Sequence, residues 1–120
     1  MPADRSAAER VDRYLALHAE TDLAGLLPLF APDAIVEDPV GGEIRRGRDE
    51  IEAFYRATHE SNGRLVIERV GPVVCGGGEA AAHVRARFAS PPDAPTVDVI
   101  YVFGFDPAGR IASLRAFFEL

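Results

Sequence analysis

Asp38 stands at the end of the apolar run Ala34-Ile35-Val36, followed by Pro39 and the flexible pair Gly41-Gly42. A carboxylate held there against a hydrophobic interior loses hydration, so its pKa rises and it becomes a better proton acceptor. Asp-Pro is also an ordinary turn opening, in which the side chain bonds nearby backbone. Its company bears on the choice. Tyr14 shares a helical stripe with Val11, Leu15 and His18, and Tyr55 lies with Ile51, Phe54 and Thr58 on the apolar face of a later helix. Each phenol is either a core residue with a satisfied hydroxyl or a donor aimed into a cavity. If the two meet in one apolar space, their hydroxyls polarise one another.

The elements that must position these residues follow from capping and periodicity. Ser6 with Glu9 reads as a capping box for a first helix to about Ala19, with Asp4 as an alternative cap. A short second helix from Asp22 toward Phe30 contains Pro28, which predicts a kink or a tightened last turn. A third helix runs from about Arg48 to His59 and is closed by Ser61-Asn62-Gly63. Beyond it the period becomes two. A strand over 65–70 ends at Gly71-Pro72, and Cys75-Gly76-Gly77-Gly78 reads as a strand running into a turn. In the next strand Ala82, Val84, Ala86 and Phe88 face the core, while His83, Arg85 and Arg87 face outward. The segment 91–95 is a connection, and strands over 96–105 and 110–118 flank a turn at 106–109. Helices first and strands last predict an α+β fold with helices on one face of a largely antiparallel sheet.

Composition narrows the field. The 120 residues, 48% of them hydrophobic, suit a single domain over 1–120 with one substantial core. A net charge of −6 argues against a nucleic-acid partner, and the one basic cluster, Arg45, Arg46 and Arg48, fits a solvated loop and helix start. The single cysteine, Cys75, has no partner for an internal disulfide and no activating neighbour in sequence. No stretch has the length of a membrane span or the pattern of a leader, so a cytoplasmic location and no membrane partner are expected. His18, His59 and His83 fall on three elements without metal-ligand spacing, so no metal site is predicted.

The order Arg13-Tyr14, Asp22-Leu23-Ala24-Gly25, Leu29-Phe30-Ala31, Asp33 through Gly41, and Phe54-Tyr55 resembles the bacterial steroid delta-isomerases, or ketosteroid isomerases. The resemblance runs on through Phe103-Gly104-Phe105-Asp106 and Gly109 to Phe118. Its specific part is Val36-Glu37-Asp38-Pro39-Val40-Gly41; much of the rest is shared with the wider NTF2-like and SnoaL-like superfamily, whose fold hosts many functions. The resemblance implies an NTF2-like cone, in which a curved, mostly antiparallel sheet and N-terminal helices enclose a pocket and the opposite sheet face forms a homodimer. It implies a steroid or other hydrophobic small-molecule substrate and no cofactor. Asp38 would carry a proton between two carbons, Tyr14 would hydrogen-bond the developing oxyanion, and Tyr55 would support the Tyr14 hydroxyl. Phe118 is implied as a pocket wall, with Phe54 and Phe88 as further candidate substrate contacts.

One position departs from the family. Ketosteroid isomerases pair an Asp base with an oxyanion hole made of a Tyr and a protonated Asp, and at the place of that second Asp this chain has Tyr101. Asp98 is no substitute, because a three-residue offset along a strand points it to the opposite face. Val97, Val99, Tyr101, Phe103 and Phe105 form one apolar face, so Tyr101 is expected to face the pocket as a second, naturally neutral donor. Glu37 next to Asp38 points the other way, which argues against a glycosidase-like carboxylate pair. Two other readings stay open: a SnoaL-like polyketide cyclase or other enzyme on this fold, and a non-catalytic binding or dimerisation module.

Overall fold

The computed structural model describes residues 2–119, with side chains from Ala7 onward. The first helix, α1 (Pro2–Ala19), begins ahead of the expected caps, and the side chains of Asp4 and Ser6 lie outside the described residues. Its buried positions, Ala7, Val11, Tyr14, Leu15 and His18, recur at the helical period and form one stripe. On the other side of α1, Asp12 accepts from both Nε and Nη2 of Arg69, at 2.7 and 3.0 Å. Asp22 caps α2 (Leu23–Leu26) by accepting from the Gly25 backbone N–H at 2.9 Å. Pro28 then falls within a single 3-10 turn, Leu27–Leu29, which is the tightened end the proline requires.

Phe30 opens β1 (Phe30–Glu37) instead of closing a helix. It is fully buried, with its ring 6.3 Å from that of Tyr14 and 5.9 Å from that of Tyr55, and its carbonyl accepts from the Arg48 guanidinium. Of the basic cluster, Arg48 lies at a helix start as expected, but Arg45 and Arg46 are not in a loop: Ile44–Arg46 forms a short edge strand, β2, antiparallel to β1. Helix α3 (Gly47–Asn62) carries Asp49 and Glu50 in its first turn, where they complement the helix dipole. Gly63, at φ 68°, supplies the left-handed residue that ends it.

The remaining strands are β3 (Leu65–Gly76), β4 (Glu79–Phe88), β5 (Val97–Phe105) and β6 (Ile111–Phe117). Gly71-Pro72 does not end β3; the strand continues through a register shift between Val70 and Val74. Such an irregularity bends a strand without breaking it, because only one or two ladder bonds are lost. The six-stranded sheet has the order β2-β1-β6-β5-β4-β3, and every pairing is antiparallel except β1 with β6. The sheet is curved and unclosed, with α1 lying against β3 and α3 against β1. Helices and sheet together form the α+β fold that the order of elements predicts, with the cone shape that the resemblance implies.

The core fills the space between these helices and the inner sheet face, with Phe30, Phe103, Leu26 and Ile51 all fully buried. Phe30→Ala should destabilise the fold by about 3–5 kcal/mol, the usual cost of removing a buried phenyl group. Urea unfolding of the variant beside the parent protein checks this; a change under about 1 kcal/mol would contradict the central position given to Phe30.

Candidate functional site

Alternation along β1 sends Ala34 and Val36 inward, and Asp38 continues that parity one step past the strand. The chain is pinned on both sides of it. Glu37 is in register with Arg115 of β6, and beyond Pro39 the Val40 N–H donates to the Ala116 carbonyl at 2.8 Å. Glu37 turns away, its carboxylate accepting from the Gly41 N–H at 3.0 Å and pairing with Arg115 at 3.5 Å. The two neighbouring acids therefore serve opposite sides of the sheet. Asp38 borders a cavity of about 280 Å³ walled mainly by apolar side chains, and burial pushes its pKa up to about 6.

Tyr101 borders the same cavity. On the sheet it is in register with Ala82 of β4 and Ala116 of β6, two small residues that leave the phenol room. Burial, followed by the charge of Asp38, raises its pKa, while hydrogen bonding from Tyr14 works against the rise. It is a neutral donor at pH 7. Asp98 points to the opposite face, where it meets His83 at 2.8 Å and Arg85 at 3.3 Å.

Tyr14 and Tyr55 do meet. Their hydroxyls are 2.7 Å apart, both side chains are fully buried, and burial holds both pKa values well above the ordinary phenol range. Tyr14 lies one layer behind the cavity wall, with its ring edge-on to that of Tyr101 at 5.6 Å. The phenols form a graded set, with Tyr101 facing the cavity, Tyr14 behind it and Tyr55 behind both. Phe54, Phe88 and Phe118 all line the cavity. Phe88 is 43% exposed, which places it at the mouth. Phe54, Thr58 and Asn62 follow at i, i+4 and i+8 along α3 and give the cavity one helical wall.

Sequence reasoning missed one pair. His18 lines the cavity, and its Nδ1 is 3.2 Å from Nε2 of His59, which lies on α3. Burial lowers the His18 pKa to about 4, with His59 adding a smaller push, and burial also lowers that of His59. The signal was present: Tyr14 and His18 on α1, and Tyr55 and His59 on α3, are two Tyr-x-x-x-His spacings. Laid side by side, they match phenol to phenol and imidazole to imidazole.

Comparison with known proteins agrees with this geometry. The SnoaL-like domain matches residues 11–114. A protein of Nocardioides simplex named Steroid Delta-isomerase is 39% identical over 117 residues, covering 98% of this chain and 91% of that protein. Among solved structures, the epoxide hydrolase/cyclase-like enzyme SalBIII, described in pyran ring formation in the polyether salinomycin, superposes with a TM-score of 0.82. It is 26% identical, over 100% of this chain and 95% of its own. With the fold, the cavity and a relative of nearly full length in agreement, this chain belongs to the SnoaL-like family of NTF2-like proteins.

Proposed function

We propose that the protein is a cofactor-independent steroid delta-isomerase, converting 3-oxo-delta-5-steroids to the conjugated 3-oxo-delta-4 isomers. The observation that carries this reading is a desolvated carboxylate, Asp38, and a neutral phenol, Tyr101, facing one apolar cavity. The kinship with a steroid delta-isomerase supports it. Asp38 removes a proton from the carbon between the carbonyl and the double bond. The C–H electrons form the new bond of a dienolate, and negative charge moves to the carbonyl oxygen. Tyr101 donates to that oxygen, and Tyr14, tied to Tyr55, strengthens the phenol donors from the other side. The carboxylic acid then returns the same proton two carbons away, which leaves the conjugated enone and the original carboxylate. A pKa of about 6 suits this shuttle, because the group is ionised at neutral pH yet basic enough to take a carbon-bound proton.

The outer sheet face fits the homodimer implied by the resemblance. Ile100 and Phe117 lie opposite each other there and are 41% and 37% exposed. Ile100→Lys should shift the protein toward monomer in analytical ultracentrifugation, since a charge at the middle of an apolar contact is costly to desolvate; a parent protein that is already monomeric would end this part of the reading.

Three measurements test the chemistry. Asp38→Asn should slow the appearance of conjugated enone absorbance from a 3-oxo-delta-5-steroid by about 10²-fold or more, the usual contribution of a general base. Near-normal turnover would remove the central claim. For the parent enzyme, kcat/KM should fall as the pH drops through about 6, where Asp38 takes up its proton. Tyr101→Phe should slow isomerisation by about 10²-fold, the scale of a lost oxyanion donor, and Tyr14→Phe, which acts through the other phenols, by less.

The same carboxylate sets a stability prediction. A folded pKa of about 6 against the ordinary 3.8 is a contribution fully present below 3.8 and lost as the pH rises through 6. At pH 7 the ionised group therefore costs the fold up to about 3 kcal/mol. Asp38→Asn should be more stable than the parent at pH 7, and the gap should close by about pH 4. Equal denaturation midpoints at pH 7 would show that the carboxylate is not desolvated.

A further inference from the structure

The proposed chemistry uses Asp38 and the phenols and leaves one buried polar wall residue without a task. His18 is 5% exposed and lines the cavity one helical turn from Tyr14, with its ring stacked on that of Tyr14 at 5.6 Å and 28°. Its Nδ1 is occupied by His59 Nε2 at 3.2 Å. On the far side of the pair, His59 Nδ1 is sealed from solvent without a hydrogen-bond partner among the described residues. That orphan atom assigns the tautomers. A sealed N–H with no acceptor is rarer and more damaging than an unpartnered lone pair, so the bare nitrogen is His59 Nδ1 and its proton sits on Nε2. His59 Nε2–H then donates to His18 Nδ1, which leaves the His18 proton on Nε2. Among the described residues His18 Nε2 has no hydrogen-bond partner, and it is not one of the sealed unpartnered atoms. It therefore opens onto the cavity that the ring lines.

We propose that His18 is a specificity-determining donor, held in one tautomer by His59, that selects steroids carrying a second oxygen on the middle rings. This rests on the isomerase reading. The enone oxygen is taken by the phenols, so an acceptor for His18 must lie elsewhere on the ligand. The rings of His18 and Tyr101 each lie 5.6 Å from that of Tyr14, so the two donors that face the cavity are at most twice that distance apart, which places that acceptor on the ring skeleton and not on a side chain at its far end. A hydroxyl or ketone there gains a partner, whereas a bare hydrocarbon leaves the N–H unpaired in an apolar wall. A site built around a buried donor discriminates against the analogue lacking the acceptor. His59 acts through His18 and is a positioning residue.

The test uses binding, so that it does not depend on turnover. The probes are 3-oxo-delta-4-steroids that differ only in one hydroxyl on a middle ring, titrated against the intact protein. At least one hydroxylated member should bind about tenfold or more tightly than its parent, and His18→Phe should abolish that ratio. His18→Gln, whose amide also donates, should keep part of it and guards against a misfolded Phe variant. In the unmutated protein, nitrogen-15 shifts of labelled histidine should show His18 protonated on Nε2 and bare on Nδ1. His59→Leu should replace that signature with a mixture of tautomers and reduce the ratio. Ratios that are equal in the parent protein and His18→Phe, or a His18 proton on Nδ1, would overturn the proposal while isomerisation proceeds. A parent protein that binds none of these steroids overturns this proposal and the isomerase reading together.

Discussion

The 2.7 Å contact between the Tyr14 and Tyr55 hydroxyls is the constraint around which the interior is arranged. Two phenols buried without partners would each carry a desolvation penalty of a few kcal/mol. Paired, they satisfy one another and tie α1 to α3 at one height. That height also sets the imidazole contact one turn on, because His18 and His59 follow their tyrosines by the same four residues. Phe30 closes the other side by packing against both phenol rings. These polar groups thus form a short ladder between two helices.

The ladder shares its cavity with a group that works against folding. Among the described residues Asp38 gains no compensating cation, and its raised pKa reflects the cost of holding a carboxylate in that wall. The backbone carries the burden: pairing of β1 with β6 on one side, and the Val40 to Ala116 hydrogen bond on the other, hold the residue at the cavity wall. Strain of this kind is tolerated where the rest of the structure over-determines the position. Here the parallel β1–β6 pairing runs up to Glu37, the residue before the proposed base.

In the proposed site Tyr101 serves as a neutral donor where a carboxylic acid would need a large upward pKa shift. A phenol is protonated at pH 7 in any environment, so burial adds no risk of ionisation. The price is length, and the sheet accommodates it with alanine on both flanking strands, Ala82 and Ala116. The donor and its space are therefore set by three adjacent strands together.

The sequence by itself determined whatever depends on local period and parity. Alternation placed Tyr101 inward and Asp98 outward, helical spacing put Tyr14 and Tyr55 on buried faces, and Pro28 and Gly63 marked a tightened turn and a helix end. These follow from backbone geometry within a few residues, which no distant contact needs to decide. The tertiary structure alone decided what depends on pairing. Residues 44–46 became a strand because β1 offered an unpaired edge, and β3 ran past Gly71-Pro72 because β4 supplied partners beyond it. Tyr14 fell one layer behind the cavity wall while Tyr101 reached it, although His18 of the same helix lines the cavity. His18 and His59, 41 residues apart, became one unit only when α1 and α3 docked side by side. Local sequence fixes which way a side chain points, and only the packing of whole elements fixes what it meets.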